Sequence, residues 1–193
     1  MKSICVFCGS NPGHNHIYLE QARQLGAVLA QRGISLIYGG GSVGLMGAVA
    51  DACLQAGGRV VGVIPRHLWA MEVGHRDLTE LHIVESMHER KAMMAELSDG
   101  FVVLPGGIGT LEEFFEIWTW GQLGIHKKPF GVLDVDGYYR QMFAFLDHMT
   151  GEGFLKPEQR GMVQQSADPT TLLDALAAYD APNVGKWLEM KES

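Results

Sequence analysis

Nine consecutive residues have the types and spacing to act on a phosphorylated molecule: Pro105-Gly106-Gly107-Ile108-Gly109-Thr110-Leu111-Glu112-Glu113. They follow the apolar run Phe101-Val102-Val103-Leu104, which predicts a buried strand, and they open Phe114–Leu123, which reads as a helix. Glycines between a strand and a helix let backbone N–H groups approach an anion at the positive end of the helix dipole. Glu113 places a carboxylate one turn into that helix. A phosphate cradle with a fixed acid beside it suits chemistry on a phosphate ester. The same spacing has a purely structural reading. Thr110-x-x-Glu113 is a capping box, with threonine as N-cap and glutamate at N3.

A second group lies upstream. Met87-His88-Glu89-Arg90-Lys91 opens a helix after a short strand, so its start falls at the ligand edge of the sheet. Cations near a helix N-terminus oppose the dipole, and a bound anion, hence ligand contact, would account for Arg90 and Lys91. Two more Gly-rich turns follow strands. Cys8-Gly9-Ser10-Asn11-Pro12-Gly13 brings Gly9 and Ser10 to the same edge, and the turn from Gly39 to Gly47 brings Gly40. Gly39-x-Gly41-x-x-Gly44 matches a dinucleotide fingerprint, which needs an acid at the end of the next strand for the ribose hydroxyls. That strand ends Val61-Gly62-Val63-Ile64-Pro65 with no acid, so tight turning and phosphate or ribose contact are the better uses of these glycines.

These loops need a scaffold, and the chain supplies alternating strands and helices. Strands are predicted at Ser3–Phe7, Ser35–Tyr38, Arg59–Ile64, Leu81–Glu85, Gly100–Leu104, Pro129–Leu133 and Met162–Gln165. Helices are predicted at Ile17–Arg32, up to Ala56, at Met87–Leu97, through Leu123, at Tyr138–His148 and after Asp168-Pro169, where proline suits the first turn. The segment from Arg66 to Glu80 has no clear period and reads as a functional loop. Strands buried on both faces and joined by helices make an α/β fold, a doubly wound Rossmann-like parallel sheet in a single domain. The domain is assigned to residues 1–180 and a C-terminal tail to 181–193. Ligands of such sheets bind beyond the carboxyl ends of the strands, where all three Gly-rich loops converge.

Composition narrows the partners. The 193 residues carry a formal charge of −7, which argues against a nucleic-acid footprint. No run reaches the ~18 apolar residues of a membrane span, and the N-terminus does not read as a signal peptide. The expectation is a cytoplasmic protein with no nucleic-acid and no membrane partner. Cys5, Cys8 and Cys53 form neither a disulfide framework nor a metal pattern, and no histidine has ligand spacing, so no metal and no cofactor are expected. The run Phe114-Phe115-Glu116-Ile117-Trp118-Thr119-Trp120 spreads aromatic side chains around its helix, which favours a subunit interface and hence a homodimer.

The motif Pro105-Gly106-Gly107-x-Gly109-Thr110-x-x-Glu113, with Met87-x-x-Arg90-Lys91 before it and Cys8-Gly9-Ser10 at the first turn, resembles the LOG family. These are cytokinin riboside 5′-monophosphate phosphoribohydrolases, long mislabelled lysine decarboxylases. The resemblance runs from about Ser3 to Ala178. It implies a Rossmann-like homodimer that cleaves the N-glycosidic bond of adenosine-type 5′-monophosphates, AMP or N6-modified AMP, to free base and ribose 5-phosphate without a redox cofactor. By motif position it implies catalytic roles for Arg90 and Glu113. Substrate contacts are implied for Lys91, for Gly107, Ile108, Gly109, Thr110, Leu111 and Glu112, and for Glu72 and Thr119. Gly106, Gly9, Ser10 and Gly40 join them from the cradles themselves. The rival readings are a non-catalytic nucleotide-binding module and an NAD(P)-dependent oxidoreductase. A pure binder gains nothing from an acid beside bound phosphate, and the oxidoreductase lacks its ribose acid.

Overall fold

Seven parallel strands form one sheet in a computed structural model that describes residues 1–70 and 74–182. They are β1 (Ser3–Phe7), β2 (Ser35–Tyr38), β3 (Val60–Pro65), β4 (Glu80–Val84), β5 (Gly100–Val103), β6 (Phe130–Leu133) and β7 (Val163–Ser166). Their order across the sheet is β4-β3-β2-β1-β5-β6-β7, and every pairing is parallel. The helices are α1 (Ile17–Gln31), α2 (Gly44–Gln55), α3 (Arg66–Ala70), α4 (Met87–Glu96), α5 (Ile108–Gln122), α6 (Arg140–Gly151), α7 (Pro157–Arg160) and α8 (Pro169–Ala177).

The apolar runs explain the two layers. Successive strand residues point to opposite faces, and here both faces are covered. Ile4, Val6, Leu36 and Val102 pack under Leu25 of α1, Val49 of α2 and Leu172 of α8. Cys5, Phe7, Ile37 and Phe101 pack under Met94 of α4, Phe114 and Trp118 of α5, and Phe143 of α6. Arg90 and Glu113 therefore ride on neighbouring helices of the same layer. The three cysteines are buried and unpaired.

The chain starts at the centre of the sheet, winds out to β4, then returns to lay β5 against β1. The loops after β1 and β5 leave in different directions, and the crevice between them is the ligand-binding switch point of such sheets. Among the described residues no helix is long and apolar enough to cross a membrane.

Several elements differ from expectation. The segment after β3 is not all loop: it opens with the short helix α3. Gly74 then pairs with Gly41, and the His75 N–H donates to the Gly40 carbonyl at 2.8 Å. His75 is buried, with Nε2 2.9 Å from Asp51 Oδ1, which ties this segment to α2 as well as to the turn after β2. Helix α5 starts at Ile108, six residues before the predicted Phe114. Helix α6 starts at Arg140 rather than Tyr138, because a 3₁₀ turn at Val135–Gly137 intervenes. The short α7 has no counterpart in the sequence reading. Of the proposed tail, residues 183–193 lie outside the described residues, as does Glu72.

Candidate active site

A cleft of about 880 Å³ opens at the switch point, a size that suits a small-molecule ligand. Its wall on one side is Pro105, Gly106, Gly107 and the first turn of α5. Gly9 and Ser10 of the turn after β1 face them, with Gly39 and Gly41 after β2. Arg90 and Glu113 lie at its base.

The early start of α5 decides between the two readings of Thr110-x-x-Glu113. The N-cap is Gly107, so Thr110 sits inside the first turn and Glu113 inside the second. There is no capping box, and no side chain caps this helix. The amides of Ile108, Gly109 and Thr110 consequently lack intrahelical acceptors, and all three residues line the cleft. Freed from a cap, Glu113 reaches Arg90: Oε1 lies 3.0 Å from Nη1, and both side chains are about nine-tenths buried.

Each partner is placed by its own element. Ser86 caps α4 through its hydroxyl, which accepts the Glu89 N–H at 3.1 Å, and sets the helix pointing Arg90 at the sheet. Arg90 Nε donates to the Val63 carbonyl at the end of β3, 3.2 Å away. The guanidinium then passes directly over Gly39, where any Cβ would collide with Nη2. The anion that explains a cation early in α4 is thus a side chain of the protein itself. Burial raises the Glu113 carboxyl above its ordinary range; Arg90 pulls it back and the neighbouring Glu112 carboxylate pushes it up. The site therefore holds an acid whose charge is supported mainly by one fixed arginine, with a smaller contribution from Lys91.

Gly39→Ala tests that dependence. The methyl group must displace a guanidinium held at two other points, so turnover should fall by at least about 10-fold, the scale on which small misplacements act, and the melting temperature should fall with it as Glu113 loses part of its compensation. Wild-type kcat/KM in Gly39→Ala would show that the guanidinium is free to move.

The glycine fingerprint has a local explanation as well. Gly44 has φ +60 and touches the backbone of Ser10, where no Cβ could fit. The Leu45 N–H donates to the Gly9 carbonyl at 3.0 Å. These glycines dock the turn after β1 onto α2 and seat an arginine; none is needed for a dinucleotide.

Other expected contacts divide. Gly9, Ser10, Gly106, Gly107, Ile108, Gly109, Thr110 and Glu112 line the cleft. Leu111 turns inward against the core. Gly40 lies beneath the surface, committed to His75. Lys91 turns away: its ammonium bonds Glu112 at 2.6 Å and Glu116 at 3.0 Å. Burial works against the Lys91 charge, but the two carboxylates outweigh it and hold the ammonium above its usual range. Thr119 lies along α5, outside the cleft, with its hydroxyl donating to the Phe115 carbonyl. The sequence reading missed Tyr18, Tyr138, Leu68 and Met87, which close the rim. Among the described residues no group of three His, Cys, Asp or Glu side chains could hold a metal ion.

A family model described as "Possible lysine decarboxylase" matches residues 46–176. A cytokinin riboside 5′-monophosphate phosphoribohydrolase of Arabidopsis thaliana is 47% identical over 184 residues, covering 95% of this chain and 81% of its own length. One from Rhodococcoides fascians is 47% identical over 182 residues, covering 94% and 90%. The chain belongs to the LOG family. Its fold is shared at lower identity by a molybdenum cofactor binding protein of Rippkaea orientalis, with a TM-score of 0.69, 20% identity and coverage of 92% and 96%. The decarboxylase description of the family model does not suit this LOG chain. Pyridoxal phosphate needs a lysine that gives up its proton to form a Schiff base. No lysine lines the cleft among the described residues, and Lys91 is held charged.

Proposed function

We propose that this chain hydrolyses the N-glycosidic bond of adenosine-type 5′-monophosphates, AMP or N6-modified AMP of the cytokinin riboside kind, to the free base and ribose 5-phosphate. One observation carries the reading: the buried Arg90–Glu113 pair beside an uncapped helix start, in one cleft. The names of relatives nearly half identical over most of the chain point the same way.

The amides of Ile108, Gly109 and Thr110 hold the 5′-phosphate, which fixes the sugar over Glu113. As the bond from C1′ to the base nitrogen breaks, the electron pair leaves with the base and positive charge builds on the ribose ring. The Glu113 carboxylate stabilises that charge and orients the attacking water, whose oxygen bonds C1′ and whose proton it accepts. The departing base nitrogen takes a proton from solvent, and Glu113 returns the one it accepted to solvent, so that water is divided between C1′ and the base and the carboxylate is restored. Arg90 keeps Glu113 ionised despite burial and fixes its orientation.

Incubation with AMP, isopentenyl-AMP and adenosine, followed by chromatography of the bases, tests this. Base should appear from the monophosphates and hardly from adenosine, since the phosphate supplies the energy that positions the sugar. Equal rates on adenosine and AMP would refute the reading. AMP retained without base release would leave a nucleotide-binding module instead.

A homodimer in the cytoplasm belongs to the same reading, with residues 1–180 as the catalytic domain. Buried, unpaired cysteines suit a reducing compartment. Trp118 offers a partner little surface, because it is 3% exposed and its indole N–H donates to the Gln159 carbonyl at 3.2 Å, so it forms only the floor of the α5–α6 groove. The apolar surface instead lies between α5 and α6, where Phe115, Leu123, Phe145 and Phe154 are exposed around a groove of about 550 Å³. Thr119 lines this groove and would meet substrate only across such an interface. Phe145→Asp should sediment as a monomer where the wild type sediments as a dimer. A wild-type monomer at micromolar concentration would remove the interface.

A further inference from the structure

The loop before α5 has its carbonyls tied one after another. The Leu104 carbonyl accepts the Tyr139 hydroxyl at 2.8 Å, the Pro105 carbonyl accepts the Gly9 N–H at 3.0 Å, and the Gly106 carbonyl accepts the Tyr138 hydroxyl at 2.7 Å. Two of the three donors come from adjacent tyrosines on one turn. That turn is built under strain. Asp136 has φ 53 and ψ 29, the only non-glycine residue with positive φ among those described, and Gly137 follows at φ 70. Asp134 braces it: one carboxylate oxygen accepts the Tyr139 N–H at 2.8 Å, the other the Gln165 amide at 3.0 Å. Strain of this kind persists where the surroundings over-determine it, commonly beside functional sites.

The two tyrosines do different things. Tyr139 is 3% exposed; its hydroxyl donates to the carbonyl of a Leu–Pro peptide, which has no N–H to aim, and meets the Gly106 backbone on the side of the preceding peptide. Tyr138 is 42% exposed, lines the cleft and packs edge-on to Tyr18 with ring centroids 5.6 Å apart. The carbonyl it holds belongs to the Gly106–Gly107 peptide. In a planar trans peptide the C=O and N–H point in opposite directions, so fixing the carbonyl fixes the Gly107 N–H. Glycines on both sides would otherwise let this peptide rotate at little steric cost.

We propose that Tyr138 is a positioning residue for phosphate: its hydroxyl locks the Gly106–Gly107 peptide so that the Gly107 N–H stays in the anion cradle with the amides of Ile108, Gly109 and Thr110. Unlocked, the same peptide can turn its carbonyl oxygen toward the anion and repel it. The inference rests on the 5′-monophosphate reading of this cleft.

Calorimetric titration of the full chain with ribose 5-phosphate, AMP and adenosine tests it in Tyr138→Phe and Tyr139→Phe. Tyr138→Phe keeps the ring and its packing and deletes only the hydroxyl. It should weaken ribose 5-phosphate and AMP about 3- to 10-fold, the worth of one hydrogen bond, hold adenosine within about twofold and leave the melting temperature unchanged. Tyr139→Phe should lower the melting temperature without changing the preference for phosphate. Unaltered ribose 5-phosphate affinity in Tyr138→Phe, or an equal loss for adenosine, would overturn the proposal, as would a wild type that binds no ribose 5-phosphate. Binding with no base release would sink the hydrolytic activity and leave the tyrosine lock standing. Hydrolysis with an undiminished phosphate preference in Tyr138→Phe would do the reverse.

Discussion

Glu113→Gln should give a folded protein that still binds AMP and turns it over about 10²- to 10⁴-fold more slowly. The substitution is nearly isosteric. The amide oxygen can accept the hydrogen bond from Arg90 that the carboxylate now accepts at 3.0 Å, so the geometry of the site survives. In the proposed mechanism, what disappears is the negative charge that would answer the cationic ribose and the base that would take a proton from water. Circular dichroism, AMP affinity and single-turnover base release together separate these effects. Full activity in Glu113→Gln would mean that charge at this position does no chemistry. A pH profile supplies a second reading of the same group. Because burial raises the carboxyl above its reference value of 4.5, kcat/KM should decline on the acid side at a pH above that value, as the carboxylate takes up its proton.

Arg90→Ala should cost both activity and stability. Removing one member of a buried ion pair leaves the other without compensation, an effect of about 3–5 kcal/mol in comparable pairs. The loss should depend on pH in a defined direction. The Glu113 carboxyl titrates higher in the folded chain than in the unfolded one. Between the two values the folded state holds more protons, so stability falls as pH rises through that window. Arg90 is the main influence opposing the rise, and its removal extends the window upward. Chemical denaturation of Arg90→Ala should therefore show a larger deficit against wild type at pH 8 than at pH 5. An equal deficit at both would mean that Glu113 does not bear the penalty.

Much of the scaffold is legible in the sequence because strands buried on both faces are written as unbroken apolar runs. Ser3–Phe7 and Ser35–Tyr38 stand where their residues predict, and Asp168 caps α8 by accepting the Thr171 N–H with Pro169 in the first turn. The start of α5 is misread for a physical reason. Ile-Gly-Thr has poor helix propensity, so local preference places the boundary later. Tertiary ties on Leu104, Pro105 and Gly106 override it, and the apparent capping box goes with the misplaced boundary. The pairing of Lys91 with Glu112 and Glu116 joins residues 21 and 25 positions apart, beyond any local pattern. Trp118 looks like surface on an aromatic helix, yet the sheet and the Gln159 carbonyl absorb it. Tyr138 gave one usable sign, the Asp136-Gly137 pair before it, a sequence suited to left-handed backbone.

The cations of this site are already spoken for before any ligand arrives. Arg90 faces Glu113, and Lys91 faces Glu112 and Glu116, so two positive groups meet three carboxylates, within a molecule of formal charge −7. A nucleotide monophosphate approaching through solvent should therefore meet net repulsion rather than a funnel, with attraction expected only at contact range from the amide dipoles at the head of α5. Capture should be slow compared with that of enzymes that steer their anionic substrates, and modest added salt should quicken the encounter by screening the repulsion, opposite to its effect on a steered association.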